Sequence, residues 1–242
     1  MKPRFVADSF VKRFGKTEVL KSATAWATPG AVTVLFGRNG SGKTTLMRAA
    51  VGLLSFDFGL VRYEGRPSLK PALHRLAREG LMYLPGREFL SRRRTLAWHH
   101  RMLAIQMDMK PEEVLGDDPM KVSEFRHRER NLISGGERRR GEMSLVLARK
   151  PRCLLADEPL AGIGPKDQEG VAAALRRLAD GGCAILVTGH DVNPLMALAD
   201  DIIWMVGGTT HWMGSPESAR DHYQFCREYL GPRGYRQEHS AR

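Results

Sequence analysis

The chain has 242 residues and 42% hydrophobic content, enough to bury the core of about one globular domain. Its three scattered cysteines do not form the pattern of a disulfide framework, its longest apolar segments are only strand-sized, and its N-terminus lacks the apolar stretch of a signal peptide. These features predict a soluble cytoplasmic protein, and the formal net charge of +11 suits a nucleic acid, an anionic membrane surface or simply solvated arginines.

The first third of the chain predicts a strand-rich start and then a strand, a loop and a helix. Residues 5–28 carry β-forming residues in loose alternation and predict short strands with a turn at FGK. The run AVTVLF predicts a buried strand, which leads into GRNGSGKTT and the helical pattern LMRAAVGLL. LVRYEG then predicts a short strand, PALHRLAREG a helix between a proline and a glycine, and LMYLP another strand.

The rest of the chain predicts a small helical subdomain and then alternating strands and helices. Residues 89–131 are rich in arginine, histidine and methionine and lack β-branched runs, so they predict the subdomain. RCLLAD, CAILVTG and DIIWMV predict strands, separated by helices at QEGVAAALRRLADGG and VNPLMALAD, and PESARDHYQFCREYLG predicts a final helix. The alternation favours an α/β fold with a mostly parallel sheet. We expect one domain over residues 1–231 and a flexible basic tail at 232–242.

Residues 37–44, GRNGSGKT, match the phosphate-loop pattern G-x-x-x-x-G-K-[ST] between a predicted strand and a predicted helix. Glycines let backbone N–H groups converge on a phosphate without obstruction by Cβ atoms. Lys43 offers a charge to the β- and γ-phosphates, and Thr44 offers a hydroxyl to Mg²⁺. A plain glycine turn is the alternative. The candidate nucleotide contacts in this stretch are Gly37, Arg38, Asn39, Gly40, Ser41, Gly42, Lys43, Thr44 and Thr45.

Two carboxylates and a histidine follow buried strands further along the chain. CLLADEP places Asp157, a candidate Mg²⁺ ligand, and Glu158, a candidate catalytic base for the attacking water, at a strand end. LVTGHD places His190 beyond the next strand, and parallel strands end at one edge of a sheet, so His190 is a candidate γ-phosphate contact. A simple Asp-Glu-Pro turn and a surface or capping histidine are the alternatives.

The stretch LISGGERRR, residues 132–140, opens a predicted helix with two glycines, each costing about 1 kcal/mol relative to alanine. In order, the phosphate loop, LISGGERRR, CLLADEP and VTGHD resemble the ATP-binding subunit of ABC transporters over nearly the whole chain. SGGERRR and the C-terminal GSPESAR…REYLG look most like the lipopolysaccharide-export and branched-chain amino acid transporter ATPases. The resemblance implies an ABC-type P-loop NTPase core with an N-terminal antiparallel β part and an inserted helical subdomain.

The resemblance also implies a nucleotide site shared between two subunits. In this family, the Ser-Gly-Gly step of one subunit closes over the γ-phosphate of ATP held by the other. A second ATP-binding subunit, most simply an identical copy, is therefore an expected partner. Phe14 lies where the family places an aromatic residue that stacks on adenine, and a core phenylalanine is the alternative. The matching residues of the shared step are Ser134, Gly135, Gly136 and Glu137, the last where the family often has glutamine.

Two positions depart from the family pattern. Gly86 stands where the family usually has a glutamine that contacts Mg²⁺ and the attacking water, and Glu88 is a candidate substitute. Gly164 stands where many relatives carry an aspartate. Both positions belong to coupling more than to ATP binding, which leaves slow or partner-tuned hydrolysis open. We expect ATP and Mg²⁺ to bind and ATP to be hydrolysed efficiently.

The resemblance implies an ATPase that drives an integral membrane subunit, lies at the inner face of the cell membrane and does not touch the cargo. Two alternatives are a soluble cassette acting on nucleic acid or ribosomes and a non-transport assembly ATPase such as that of iron–sulfur biogenesis. Relatives that act in translation carry two cassettes, and those in repair a long coiled coil. The chain has neither, so we do not expect nucleic acid as a partner. Candidates for contact with a membrane subunit, or for subdomain core, are Phe89, Leu90, Leu96, Trp98, Met102 and Met107.

Overall fold

Two β-sheets with helices around them make up the fold in the computed structural model, which describes residues 2–87 and 89–230. The strands of this part of the chain are β1 (Phe5–Phe14), β2 (Thr17–Ala27), β3 (Val32–Phe36), β4 (Phe58–Tyr63), β5 (Arg66–Ser68), β6 (Leu81–Leu84), β7 (Cys153–Ala156), β8 (Ala184–Gly189), β9 (Asp201–Val206) and β10 (Thr209–Gly214). The α-helices are α1 (Lys43–Ala50), α2 (Leu73–Arg78), α3 (Leu96–Met107), α4 (Pro111–Leu115), α5 (Gly135–Arg149), α6 (Pro165–Asp180), α7 (Val192–Leu198), α8 (Pro216–Ala219) and α9 (Tyr223–Tyr229).

The smaller sheet is antiparallel and has the strand order β2-β1-β4-β5. The predicted turn at FGK is confirmed, because Phe14 pairs with Thr17 across it. The prediction of short strands here is wrong, since β1 and β2 have 10 and 11 residues. Ser9 and Ser22 adopt positive φ angles of 55° and 63°, and the β1–β2 register shifts between Ala7 and Phe10. These irregularities break the period-two alternation that identifies a long strand in a sequence.

The larger sheet has the order β10-β9-β3-β8-β7-β6, and only the β9–β10 pair is antiparallel. This confirms the predicted α/β class with a mostly parallel sheet and an N-terminal antiparallel part. Successive residues of β8 face alternate cores: Ile185 and Val187 pack on the side of α5 and α6, whereas Leu186 packs on the side of α1 and the smaller sheet. Burial on both faces explains why β8 is continuously apolar in the sequence.

Residues 89–131 are largely helical and irregular, as predicted, with α3, α4 and short 3₁₀ turns at Val122–Glu124 and Arg130–Leu132. Of the residues that are candidates for partner contact or for subdomain core, Leu90 and Leu96 are 3% and 2% exposed and belong to the core. The limits of the domain and of the subdomain stay predictions. The predicted basic tail at 232–242 lies outside the described residues.

The single helix predicted at the C-terminal end is wrong, because this stretch forms two helices, α8 and α9, broken at residues 220–222. The Ser215 hydroxyl caps α8, and the His222 ring accepts a hydrogen bond from the Phe225 amide to cap α9. β10 was not predicted either. No helix in the described part of the chain combines the length and the apolar character needed to cross a bilayer.

Candidate nucleotide site

The phosphate loop lies between the end of β3 and the start of α1, as its pattern predicts. Lys43 is only 4% exposed, and its ammonium group donates hydrogen bonds to the carbonyl oxygens of Gly37 at 2.6 Å and Arg38 at 3.2 Å. Burial lowers the pKa of Lys43, and the nearby Glu158 and Asp157 carboxylates oppose that shift. The loop therefore holds a desolvated cation whose present acceptors are its own backbone.

The N-terminus of α1 carries no side-chain cap, and its first turn has no acidic residue. Gly40 and Gly42 have φ angles of 83° and 109°, a left-handed conformation that favours glycine. The helix start borders a concave pocket of about 270 Å³. Uncapped N–H groups and the helix dipole make such a pocket suitable for an anion. The predicted contacts that line it are Asn39, Gly40, Gly42, Lys43, Thr44 and Thr45.

Gly37, Ser41 and Arg38 have different surroundings. A Cβ atom at Gly37 would come within 2.9 Å of the Met205 carbonyl oxygen, so the glycine is required by packing against β9. The Ser41 hydroxyl is buried without a hydrogen-bond partner in the structure, which leaves it able to bond to a ligand. The Arg38 side chain is exposed and lies 3.7 Å from the Glu228 carboxylate of α9.

Asp157 lies at the end of β7 and is 3% exposed. Its Oδ1 accepts hydrogen bonds from the hydroxyls of Thr188 at 2.6 Å and Thr44 at 3.2 Å. Burial raises the pKa of Asp157, although both hydroxyl bonds favour the charged form. A buried carboxylate beside a threonine hydroxyl is an oxygen donor set that suits Mg²⁺, which binds through one or two protein oxygens and takes its other ligands from phosphates and water. These residues fit the expected ion.

Glu158 is held in a strained backbone conformation with a φ angle of 49°. Its amide donates to the Thr188 hydroxyl at 3.0 Å, which fixes the turn. Its Oε1 lies 3.8 Å from Lys43 Nζ and 3.6 Å from His190 Nδ1. The structure thus brings together the predicted base, the predicted γ-phosphate contact and the phosphate-loop lysine at one sheet edge.

Phe14 ends β1, and its ring is 48% exposed, with Lys12 Nζ 5.3 Å from the ring centroid. The alternative of a core phenylalanine is therefore wrong. An exposed ring is able to stack on a base. Its role in adenine binding stays a prediction.

The Ser-Gly-Gly step lies at the start of α5, where Ser134 is the N-cap and forms a reciprocal capping box with Glu137. Ser134 Oγ accepts from the Glu137 amide at 3.1 Å, and Glu137 Oε2 accepts from the Ser134 amide at 2.8 Å. A Cβ atom at Gly136 would overlap the Asp167 carboxylate of α6. At Gly135 the nearest atom to such a Cβ is 3.7 Å away. A side chain at Gly136 would thus have to displace the Asp167 carboxylate, a contact within the chain that the sequence did not reveal.

Gly86 lies against the end of β7, because a Cβ atom there would be 3.1 Å from the Asp157 carbonyl oxygen. Its own carbonyl accepts a hydrogen bond of 3.0 Å from Arg139 of α5. Gly164, the second departure from the family pattern, is the N-cap of α6 and provides no side-chain cap. Glu88 lies outside the described residues.

Two residues in contact with the site escaped the sequence analysis. Thr188 bonds to both Asp157 and the Glu158 amide, and a lone hydroxyl in an otherwise apolar buried strand was the available signal. Arg139 is 3% exposed, but within a run of three arginines nothing in the sequence distinguishes a buried one.

Comparison with known proteins gives this geometry a family. The model of the family described as ABC transporter matches residues 20–161, which include the phosphate loop, the Ser-Gly-Gly step and the Asp157–Glu158 pair. The chain belongs to the ABC transporter family. The expected ABC resemblance is confirmed, and the chain is an ATP-binding ATPase subunit that serves transport through a separate membrane component.

Individual relatives agree with this assignment. The lipopolysaccharide export system ATP-binding protein LptB of Acidithiobacillus ferridurans is 30% identical over 230 residues, 93% of this chain and 95% of that protein. The ADP conformation of an ATP-binding cassette of an ABC transporter has a TM-score of 0.80 at 21% identity and covers 96% of this chain and 100% of its own. A dimeric, post-hydrolysis cassette bound to ADP and Pi has a TM-score of 0.74 at 20% identity over 86% of this chain and 98% of its own.

Proposed function

We propose that the chain hydrolyses Mg²⁺-bound ATP at the edge of the larger sheet, and that two copies close head to tail around two nucleotides to do so. The observation that carries this proposal is the cluster of Lys43, Asp157, Glu158 and His190 beside an uncapped helix start. Lys43 Nζ and His190 Nδ1 lie within 3.8 Å and 3.6 Å of one Glu158 oxygen.

The phosphate loop binds the triphosphate. On binding, the Lys43 ammonium exchanges its bonds to the loop carbonyls for bonds to the β- and γ-phosphates, and the α1 N–H groups add theirs. Thr44 and Asp157 would hold Mg²⁺, which would supply positive charge to stabilise the phosphate oxygens. Phe14 stacks on the adenine.

Glu158 accepts a proton from the attacking water. Its strained backbone and the Thr188 bond to its amide hold the carboxylate at the sheet edge. His190 donates to the γ-phosphate, and its position beside Glu158 lets it also orient the carboxylate. Catalysis therefore rests on positioning and charge stabilisation, as expected for phosphoryl transfer.

The second copy supplies the far wall of the site. Each chain carries one Ser-Gly-Gly step, and the capping box satisfies the amides of Ser134 and of Glu137, the third helical residue. The amides of Gly135 and Gly136 have no partner within an α-helix and are suited to a phosphate. A dimer in which each step covers the partner's nucleotide uses them, and a dimeric cassette exists among the structural neighbours.

The membrane subunit docks in a groove between α2, α3 and the end of α5. The groove has a volume of about 580 Å³ and an apolar floor that includes Phe89, Met102 and Leu145. Arg78, Arg149 and Lys150 stand at its walls. We therefore assign it to an amphipathic cytoplasmic helix that carries acidic residues. Trp98 is 38% exposed at the outer face of α3, whereas Met107 lines a different cavity.

This arrangement makes the chain a peripheral subunit on the cytoplasmic face of the cell membrane. A tagged chain purified from its native membranes should bring one polytopic membrane protein with it, and Met102→Glu should abolish that association while Ile105→Glu on the exposed side of α3 should not. Salt-sensitive binding of RNA or DNA at physiological ionic strength by both variants, without any membrane protein, would instead favour the nucleic-acid alternative.

The proposed mechanism is tested with Glu158→Gln. We expect turnover to fall about 10²- to 10⁴-fold, because general-base catalysis contributes on this scale, while Mg²⁺-ATP converts the variant into a stable dimer. Phosphate release and light scattering after size exclusion measure the two effects. Glu169→Gln, on the exposed side of α6, is the matched control and should turn over at the parent rate. Parent-like hydrolysis by Glu158→Gln would refute the base, and a monomer in Mg²⁺-ATP would refute the shared site.

A further inference from the structure

Arg139 is a buried cation one turn beyond the Ser-Gly-Gly step, and its contacts lie on two different parts of the fold. Its guanidinium is 2.8 Å from the Glu142 carboxylate on the same helix. It also donates to the Gly86 carbonyl at 3.0 Å, between β6 and α3. Arg139 and Glu142 are 3% and 1% exposed, so both charges are withdrawn from water.

Such a pair is a poor means of gaining stability. Burial lowers the pKa of Arg139 and raises the pKa of Glu142, which shows that desolvation opposes both charged forms. A buried ion pair is often no more stable than apolar side chains of the same volume. The contact that apolar side chains would lose is the directed bond from Arg139 to the Gly86 carbonyl.

The Gly86 carbonyl belongs to the segment that follows β6, and this segment packs against the end of β7, next to Asp157. The residue before the segment, Leu84, accepts a hydrogen bond of 2.8 Å from the Asp157 amide. A Cβ atom at Gly86 would lie 3.1 Å from the Asp157 carbonyl oxygen, so the segment packs closely against the backbone of Asp157. The positive charge of Arg139 also acts on Asp157 electrostatically. Arg139 therefore links α5 to the backbone beside the proposed Mg²⁺ ligand.

We propose that Arg139 is a positioning residue that couples the Ser134–Gly136 step to Asp157 of the same chain and thereby links the two nucleotide sites of the dimer. The inference rests on the proposed head-to-tail dimer, in which the step of one chain covers the partner's nucleotide while Asp157 serves the chain's own. Closure over one nucleotide then shifts α5, and Arg139 carries the shift to the other metal site. Gly86 has no side chain for this task, so the link uses its backbone carbonyl.

The test measures binding of a fluorescent ATP analogue to the full-length chain in the Glu158→Gln background, where turnover is expected to be about 10²- to 10⁴-fold slower. The affinity of the second nucleotide of the dimer is expected to fall about 5- to 100-fold in Arg139→Gln, the usual range of coupling between sites. The affinity of the first nucleotide should stay unchanged. Arg138→Gln is the matched control, because Arg138 is partly exposed and lies 3.9 Å from Glu142.

Arg139→Lys separates coupling from simple charge compensation. A lysine can face Glu142 but lacks the planar fork needed to serve the carboxylate and the Gly86 carbonyl together. We expect this variant to stay folded with its ion pair to Glu142 and to lose most of the coupling. Should Arg139→Gln fail to fold, the double variant Arg139→Met with Glu142→Met removes both charges at similar volume and should show the same loss.

If Arg139→Lys forms the dimer and binds the second nucleotide with the same affinity as the parent, the inference is overturned and the proposed function stands. Absence of any Mg²⁺-ATP dimer in the Glu158→Gln background alone would instead refute the proposed function, before Arg139 is altered. A loss of coupling in Arg138→Gln as large as in Arg139→Gln would also overturn the role of Arg139.

Discussion

The starts of α1 and α5 are both proposed to contact phosphate, yet they are built in opposite ways. The α1 start has no capping side chain and no acidic residue in its first turn. The α5 start has a complete capping box and the carboxylate of Glu137 in its first turn. Hydrogen bonds to the Ser134 amide and hydroxyl hold the pKa of Glu137 below its usual range, so the α5 start keeps a negative charge.

The difference separates a site that captures an anion from a surface that completes a site already filled. The α1 start presents uncapped N–H groups and a desolvated lysine to the first phosphate that arrives. The α5 start is already satisfied in part by its own chain and fixed against α6 by the close approach of Asp167 to Gly136. It therefore contributes rigid geometry and two remaining amides, which gain a ligand only when a second copy brings one.

Lys43→Met should weaken phosphate binding at the α1 start. Removing the ammonium group deletes two charge-assisted hydrogen bonds to phosphate, each contributing about 1.5–3 kcal/mol, so ATP affinity should fall by at least about 100-fold. Titration with a fluorescent ATP analogue measures the change. Lys166→Met, an exposed lysine at the start of α6, serves as the control. Unchanged affinity in Lys43→Met would contradict the phosphate-loop assignment.

The contact between α3 and the second half of α5 should make the helix that carries the Ser-Gly-Gly step sensitive to acid. His100 is 1% exposed, its Nε2 lies 2.9 Å from the Ser144 hydroxyl of α5, and burial beside Arg126 lowers the pKa of His100 to about 4. The folded-state pKa lies below the unfolded value of 6.5, so the unfolded chain binds more protons between those values. The contribution of neutral His100 to the free energy of unfolding is therefore fully present above pH 6.5 and is lost as pH falls towards 4.

At pH 5 this histidine alone should remove about 2 kcal/mol of the free energy of unfolding. Urea denaturation at pH 7.5 and pH 5 measures the loss. His100→Gln keeps a polar partner for Ser144 and should show about 2 kcal/mol less acid destabilisation than the parent. His127→Gln removes an exposed histidine and should behave as the parent does. Equal acid sensitivity of parent and His100→Gln would remove His100 from this account.

Much of the phosphate loop and the α1 start could be predicted from the sequence because their signals are local. The continuous apolar run of β3, the glycines after it and the helical pattern of α1 are adjacent in the chain, and each follows from backbone chemistry. Asp157 and His190 were predictable for a related reason, since both follow strands that are buried on both faces and parallel strands end at one edge.

The features that the sequence did not predict depend on contacts between distant segments. The break between α8 and α9 is fixed by His222 acting as a cap, an unusual role that a helical pattern does not signal. Gly136 reads as a flexible step until Asp167 of α6 is placed against it. Arg139 is indistinguishable from Arg138 and Arg140 in the sequence, and only the packing of α5 against the segment after β6 buries it.

Gly136→Ala tests whether this glycine serves packing within the chain or approach to a ligand. The added methyl group overlaps the Asp167 carboxylate and must displace it from Arg140, so relative to Gly135→Ala we expect a loss of about 1–2 kcal/mol in the free energy of unfolding without any nucleotide present. The double variant Gly136→Ala with Asp167→Ala should recover most of that loss. Gly135→Ala is the comparison, because its surroundings leave room for the methyl group. Equal stability of Gly136→Ala and Gly135→Ala in urea denaturation would show that the Asp167 carboxylate moves aside at no cost.

Glu137 offers the smallest and most specific test, because the capping box falls on the position where the family often has glutamine and also commonly has glutamate. Glu137→Gln retains an oxygen acceptor for the Ser134 amide, so the free energy of unfolding should change little, whereas Glu137→Ala should lose about 0.5–1 kcal/mol of helix capping. Removing the negative charge should at the same time favour phosphate at the α5 start, and Glu137→Gln should raise the stability of the Mg²⁺-ATP dimer in the Glu158→Gln background. The dimer dissociation constant measures this directly. A weaker dimer in Glu137→Gln would mean that the carboxylate itself makes a contact across the interface, and the acidic first turn of α5 would then be part of the shared site rather than a cost to it.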